Sequence, residues 1–323
     1  MTTTYHRADA DPRVLADADV AVVGYGNQGR SWALNLRDSG LAVRVAARAD
    51  ASREQAEADG FSTGEPGTAA DADVICVLVP DDAIPGLGLV PRPEALVVLA
   101  SGYVAAFSRF EPTCDVGLVA PRMLGPEVRR CYTDGVGFIT ALGVVRDETG
   151  TALARTLAVA DAIGGLRQGA IEMTATQEAV LDLSVEQVLA PALRRVSQSF
   201  VEVMLEQGIP LEAVLTELFL SGEVERTYRL LRLEGYAAQM AHHSPTSQYG
   251  QLSRQGRYDH LDVPATMREL VADIASGRFA DEWDADRDAG HPELARLRAG
   301  ALPPEVVAWE AELRRTLGET AEG

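Results

Sequence analysis

The chain has 323 residues, an apolar fraction of 46% and a formal net charge of −19 at pH 7. That length allows two domains with cores of their own. The acidity argues against a general attraction to nucleic acid or to an anionic membrane, so an anionic substrate must be drawn by local donors. No run of about 18 uncharged apolar residues occurs, and no membrane span is expected. The start, Met1-Thr2-Thr3-Thr4-Tyr5-His6-Arg7, lacks the apolar core of a signal peptide, so the expected location is cytoplasmic. Apart from the five His, every basic side chain is Arg; Lys does not occur. Cys76, Cys114 and Cys131 are odd in number and show no metal-type spacing, so reduced thiols are expected.

Residues 1–18 read as a short polar lead, with a brief helix near Arg13 to Ala18. A β-branched run then meets a glycine turn in Val20-Ala21-Val22-Val23-Gly24-Tyr25-Gly26-Asn27-Gln28-Gly29, and an amphipathic helix follows. In a dinucleotide fold Gly24 allows the sharp turn, Gly26 lets a pyrophosphate approach the backbone, and Gly29 lets helix and strand pack closely. The helix N-terminus offers free N–H groups and a positive dipole end to the phosphates. The cradle is therefore assigned to Gly24, Tyr25, Gly26, Asn27, Gln28 and Gly29.

The helix from Ser31 to Ser39 ends at Gly40, and Leu41 to Ala47 is the second strand. The tip beyond it is where such folds read the adenosine ribose. Arg48, Ser52 and Arg53 favour the 2′-phosphate of NADPH, while Asp50 favours NADH; a solvated charged loop is the plain alternative. Arg53 to Asp59 is a helix closed by Gly60. The strand Asp73 to Val79 ends at Pro80-Asp81-Asp82, placed beside the nicotinamide. Two more buried strands, Ala95 to Ala100 and Val116 to Ala120, end at Ser101-Gly102-Tyr103 and Pro121-Arg122-Met123-Leu124-Gly125. Ligands sit beyond the carboxyl ends of such strands, so Ser101 and Arg122 stand where chemistry happens. A later strand is expected at Phe138 to Val144 and a helix at Ala152 to Ile163.

From about Thr174 strand-like runs give way to helical periods at Gln177 to Gln207, Leu211 to Leu233, Pro264 to Ser276 and Pro304 to Leu317. The pattern predicts an α/β, Rossmann-type, doubly wound parallel sheet over residues 1–170 and an all-α domain over 171–323. The tail Gly318 to Gly323 is expected to be mobile. Asp182 and Glu186 lie four apart, which on an α-helix places both carboxylates on one face. They suit a hard ion such as Mg²⁺, or form a solvent-facing acidic edge. Glu217 stands in an apolar run, as a third ligand or as part of a polar stripe.

On these residues the chain resembles the short-form ketol-acid reductoisomerases. The resemblance rests on the glycine turn with Ala33 to Gly40, on Ala56-Glu57-Ala58-Asp59-Gly60-Phe61, and on Gly164 to Glu172. Asp182 to Gln187 and Ser276 to Trp283 carry it further, and it covers essentially residues 14–318. It implies a Rossmann-type domain, a knotted helical domain, and a homodimer or larger assembly. In the implied reaction two Mg²⁺ ions drive an alkyl migration in a 2-acetohydroxy acid, and NADPH then reduces the resulting 2-keto acid. The metals would rest on Asp182, Glu186 and Glu217. The family's active-site His and Lys are replaced here by Ser101 and Arg122, and its small glycine-rich positions by Met123 and Leu124. Its last Glu ligand falls on Ser221, or on Glu223 or Glu225 in a shifted alignment. Its substrate-binding Ser is kept as Ser244, with His242 and His243 beside it as proton donors or a surface pair.

Arg cannot easily give up a proton. The changes imply that reduction survives more readily than migration. The expected activity is NADPH-dependent reduction, with NADH as the alternative cofactor, of a C=O or C=N in a small keto acid or imine. Arg122, Ser101, Glu217 and Ser244 are the expected catalytic set, with Tyr103 as a further hydrogen-bond partner and one or two Mg²⁺ ions. A complete reductoisomerase and a catalytically silent cofactor-binding protein are the alternatives.

Overall fold

A computed structural model describes residues 2–300 and 304–317. The expected tail, 318–323, lies outside the described residues. The chain divides into two compact units, Met1–Leu183 and Ser184–Gly323.

The first unit is built on nine strands: β1 (Thr4–Tyr5), β2 (Asp19–Val23), β3 (Ala42–Ala46), β4 (Thr63–Gly64), β5 (Val74–Val77), β6 (Leu96–Leu99), β7 (Asp115–Pro121), β8 (Thr140–Arg146) and β9 (Ala170–Glu172). Their order across the sheet is β1-β9-β8-β7-β6-β5-β2-β3-β4. From β4 to β7 every pairing is parallel. That half has the doubly wound order with its switch point between β2 and β5, the place where such sheets bind dinucleotides. β8 runs antiparallel to β7, and β1 antiparallel to β9.

β5 and β6 are buried at every residue. Their unbroken apolar runs are what a strand covered on both faces requires. Helices α1 (Asn27–Asp38), α2 (Ala51–Ala58), α3 (Tyr103–Ala106), α4 (Gly125–Thr133), α5 (Ala152–Ala162) and α6 (Ala175–Ser184) complete the unit. Trp32 and Leu36 of α1 are fully buried with Leu96, Phe138 and Ile163 in one core. The sequence boundary near residue 170 differs from the compact boundary at Leu183 because α6 packs into the first unit. A Cβ on Gly102 would lie 2.2 Å from the Ala175 carbonyl oxygen.

In the second unit α7 (Ala190–Glu206), α8 (Leu211–Leu215), α9 (Glu223–Glu234), α10 (Tyr236–Ala241), α11 (Pro245–Arg254), α12 (Val263–Ala275), α13 (Arg278–Asp288), α14 (Pro292–Gly300) and α15 (Pro304–Leu317) follow one another. Two π-helical turns occur, Val185–Leu189 before α7 and Thr216–Leu220 after α8. The first precedes Pro191, which has no N–H for the Gln187 carbonyl and whose ring forces the preceding turn open. Among the described residues of this unit, the buried ones are Val188, Val214, Gln239, Ile274 and Ala280.

Candidate active site

The glycine turn has the geometry its spacing predicts. Gly24 sits at φ +93°, where an L side chain is strained, and a Cβ there would reach 2.7 Å from Val79. A Cβ on Gly29 would fall 2.2 Å from the Gly24 carbonyl oxygen. A Cβ on Gly26 would meet nothing within 4 Å. That open face, at the N-cap of α1, is the approach a pyrophosphate needs. Tyr25 turns its ring away from the cleft: it packs edge-on against Phe61, and its hydroxyl donates to Asp59 at 2.9 Å. Its backbone is the part left for a cofactor. The Gln28 amide donates to the Met123 carbonyl at 3.1 Å and tethers the turn to the loop before α4.

Two clefts open from this turn. One of about 590 Å³ is lined by Gly24, Ala47, Arg48, Asp50, Ser52 and Pro80 among others. Asp50 caps α2, accepting from the Ser52 N–H at 3.0 Å and from the Ser52 hydroxyl. Arg48 is exposed and free to reach outward, 3.8 Å from Asp50. Arg53, expected to meet a 2′-phosphate, instead folds back on the carbonyls of Ala47 and Gly64 and on Glu65. Its job here is to tie α2 to the sheet.

The second cleft, about 340 Å³, is lined by Asn27, Gln28, Val79, Pro80, Asp81 and Ser101 among others. Asp81 is bonded to Ser101, and burial with the charges of Glu178, Asp182 and Asp82 pushes its carboxyl up to about 7. The Ser101 hydroxyl also accepts from the Tyr103 N–H at 3.1 Å. Tyr103 itself is buried, with its ring edge-on to Phe107.

Arg122 leaves the end of β7 and meets α6. Its Nη1 donates to Glu178 Oε1 at 2.6 Å, and its Nη2 to Asp182 Oδ1 at 2.9 Å. The other oxygen of Glu178 accepts from the Gly102 N–H at 2.6 Å. Glu178 is only 2% exposed, so both its oxygens are committed. Burial, with Asp182 adding to it, raises its carboxyl above the ordinary range. Arg122, expected in the catalytic set, is thus a guanidinium already engaged by two carboxylates. Glu178 went unassigned by sequence, and Asp81 was placed beside the nicotinamide but given no chemical role. The one signal for Glu178 is its place a turn before Asp182, facing the close-packed Gly102.

The other expected residues lie in the second unit. Glu186 and Glu217 are each the second residue of a π-helical turn. The i, i+4 spacing of Asp182 and Glu186 runs into the wide turn that begins at Val185. Among the described residues, no group of three or more His, Cys, Asp or Glu side chains is gathered as a metal would need. The Ser244 hydroxyl caps α11, accepting from the Ser247 N–H at 3.3 Å. His242 bonds Glu234 and His243 bonds Gln239. Cys76 and Cys114 are buried free thiols, and burial pushes Cys76 up to about 12, so it is inert.

The sheet order, the glycine cradle and the two clefts at the switch point define a dinucleotide-dependent oxidoreductase. Comparisons with known proteins narrow the class. A family model for the NADPH-binding domain of acetohydroxy acid isomeroreductase matches residues 14–169, and one for the ketol-acid reductoisomerase C-terminal domain matches residues 176–319. The chain is 36% identical to a ketol-acid reductoisomerase (NADP(+)) of Beutenbergia cavernae, across 98% of this chain and 94% of that one. It is 37% identical to one of Caldivirga maquilingensis, across 92% and 93%. The solved structure of an NADH-preferring ketol-acid reductoisomerase from an uncultured archean matches with a TM-score of 0.90 at 29% identity, covering 99% of this chain and all of that one. The chain belongs to the ketol-acid reductoisomerase family of nicotinamide-dependent oxidoreductases.

Proposed function

We propose that this chain reduces a C=O or C=N bond in a small carboxylate-bearing substrate, using NADPH, and that alkyl migration is weakened or lost. The observation that carries this reading is the pair of bonds from Arg122 to Glu178 and Asp182. Migration needs strong paired Lewis acids. In the first unit the one half-exposed ligand, Asp182, already faces a guanidinium, and Glu178 has no oxygen left. These residues do not fit a two-metal centre. At most one Mg²⁺ is expected, with Asp182 as its ligand from the first unit.

The glycine turn fits a nicotinamide dinucleotide, because its open face at Gly26 is where backbone and phosphate must meet. The bound cofactor supplies the hydride. Asp81, its carboxyl pushed up to about 7, carries a proton below that pH and passes it through the Ser101 hydroxyl to the acceptor heteroatom. Arg122 supplies positive charge opposite the developing alkoxide. Arg48 and Ser52 favour the 2′-phosphate of NADPH, and Asp50 opposes it.

Incubation with 2-acetolactate, Mg²⁺ and NADPH should give turnover at least ~100-fold slower than reduction of the best simple 2-keto acid or cyclic imine under the same conditions. Fast, Mg²⁺-dependent conversion of acetolactate would reject the proposal in favour of a complete reductoisomerase. The full-length relatives of that name favour that second reading. Running the same assay with NADH in place of NADPH tests the cofactor choice.

We also infer a homodimer or larger assembly. On α7 no residue is buried, yet Leu193, Val196, Phe200 and Val203 follow a heptad-like spacing and are 44–67% exposed. Such a stripe is a seam for a partner helix. A second unit with so few buried side chains needs that cover. The double substitution Val196→Glu with Phe200→Glu should convert the assembly to monomer in sedimentation; an unchanged sedimentation coefficient would reject this seam.

A further inference from the structure

Two carboxylates meet one guanidinium near the end of β7. Glu178 and Asp182 stand one turn apart on α6, and both meet Arg122. Asp81 lies close enough for both of them to raise its proton affinity. Like charges in a partly desolvated place repel, and a counter-cation is needed to hold them together. Here that cation is covalently attached. The Arg122 side chain is 27% exposed, and its planar, positively charged fork spans two carboxylates at once. A lysine would present one point charge and could not bridge them in the same way. A divalent ion approaching Asp182 meets the charge of the guanidinium beside it, with Oδ1 already held at 2.9 Å.

We propose that Arg122 is a resident counter-cation, standing in charge where a divalent ion would otherwise sit against Asp182, and that it thereby lowers the affinity of Asp182 for Mg²⁺ and Mn²⁺. The inference concerns ion binding and stands apart from the reductase reading. A complete reductoisomerase would overturn that reading and leave this one to be decided by metal titration.

The test is a titration of the full chain with Mn²⁺, read as free Mn²⁺ by electron paramagnetic resonance. No substrate is present, and NADPH fluorescence confirms the fold of each variant. Arg122→Gln should bind Mn²⁺ at least about tenfold more tightly than the unaltered chain, because one unit of opposing charge has gone. The gain should vanish in Arg122→Gln with Asp182→Asn. Arg122→Lys should fall between the two. Equal affinity in the unaltered chain and Arg122→Gln overturns the proposal, as does a gain that persists without Asp182. If Arg122→Gln fails to fold, with Glu178 left buried and unpaired, Arg122→Gln with Glu178→Gln is compared with Glu178→Gln alone. A rise of about tenfold or more supports the proposal, and a smaller rise or none overturns it.

Discussion

Gly26→Ala should leave the melting temperature nearly unchanged while NADPH affinity falls by about 100-fold or more. Gly26 has φ −81°, which alanine adopts freely, and a Cβ there touches nothing in the chain. What it would touch is the pyrophosphate. Gly29→Ala should do the reverse in order of cause: the fold suffers first. Its Cβ would sit 2.2 Å from the Gly24 carbonyl oxygen, so α1 must move off β2, at a cost of roughly 3 kcal/mol or more. Gly40→Ala is the control, since it has φ +90° but no neighbour within 4 Å and suffers conformational strain alone, about 1 kcal/mol. Thermal melts and NADPH fluorescence titrations separate the three. A Gly26→Ala protein that binds NADPH normally would mean that the cofactor does not lie on this turn.

Asp81→Asn should remove most of the pH dependence of reduction near neutrality. With its carboxyl pushed up to about 7, Asp81 carries its proton at pH 6 and has lost it by pH 8.5. The unaltered chain should therefore lose about tenfold in kcat/KM per pH unit above 7, whereas the Asn variant is slow and flat. Stability follows the same proton. A folded-state carboxyl raised above its unfolded value binds more protons in the native state, so stability is full below about pH 4 and falls as pH rises through 7. Glu178 adds to that slope in the same direction. At pH 8 the Asn variant should be more stable by ~1–3 kcal/mol, read from urea unfolding. A variant less stable at pH 8 than the unaltered chain would show that Asp81 is held ionised.

The nucleotide half was legible from sequence for a physical reason. Its signals are local: a β-branched run, three glycines at fixed offsets, and strand ends that must face ligand whatever else the chain does. The short strands at Thr4–Tyr5, Thr63–Gly64 and Ala170–Glu172 were not legible, since two or three residues carry no period. Arg53 looked like a phosphate reader because composition cannot tell a guanidinium aimed at solvent from one folded onto backbone carbonyls. The roles of Glu178 and Asp81 escaped for a related reason. Their importance comes from burial next to Gly102 and Ser101, which are distant in sequence from Glu178. Position along a helix or at a strand tip does not reveal that. Glu186 and Glu217 were readable as acidic residues, but the wide turns that carry them were not.

Those wide turns have a consequence for how the helical unit can change over time. In each, an N–H reaches back five residues, from Ala190 to Val185 and from Ser221 to Thr216, so the rod holds one more amino acid than its neighbours need. Losing that surplus residue would restore ordinary winding while swinging Glu186 or Glu217 by roughly 100° about the axis. A lineage carrying such slack can re-aim an acidic group by one codon's deletion, without passing through a broken scaffold.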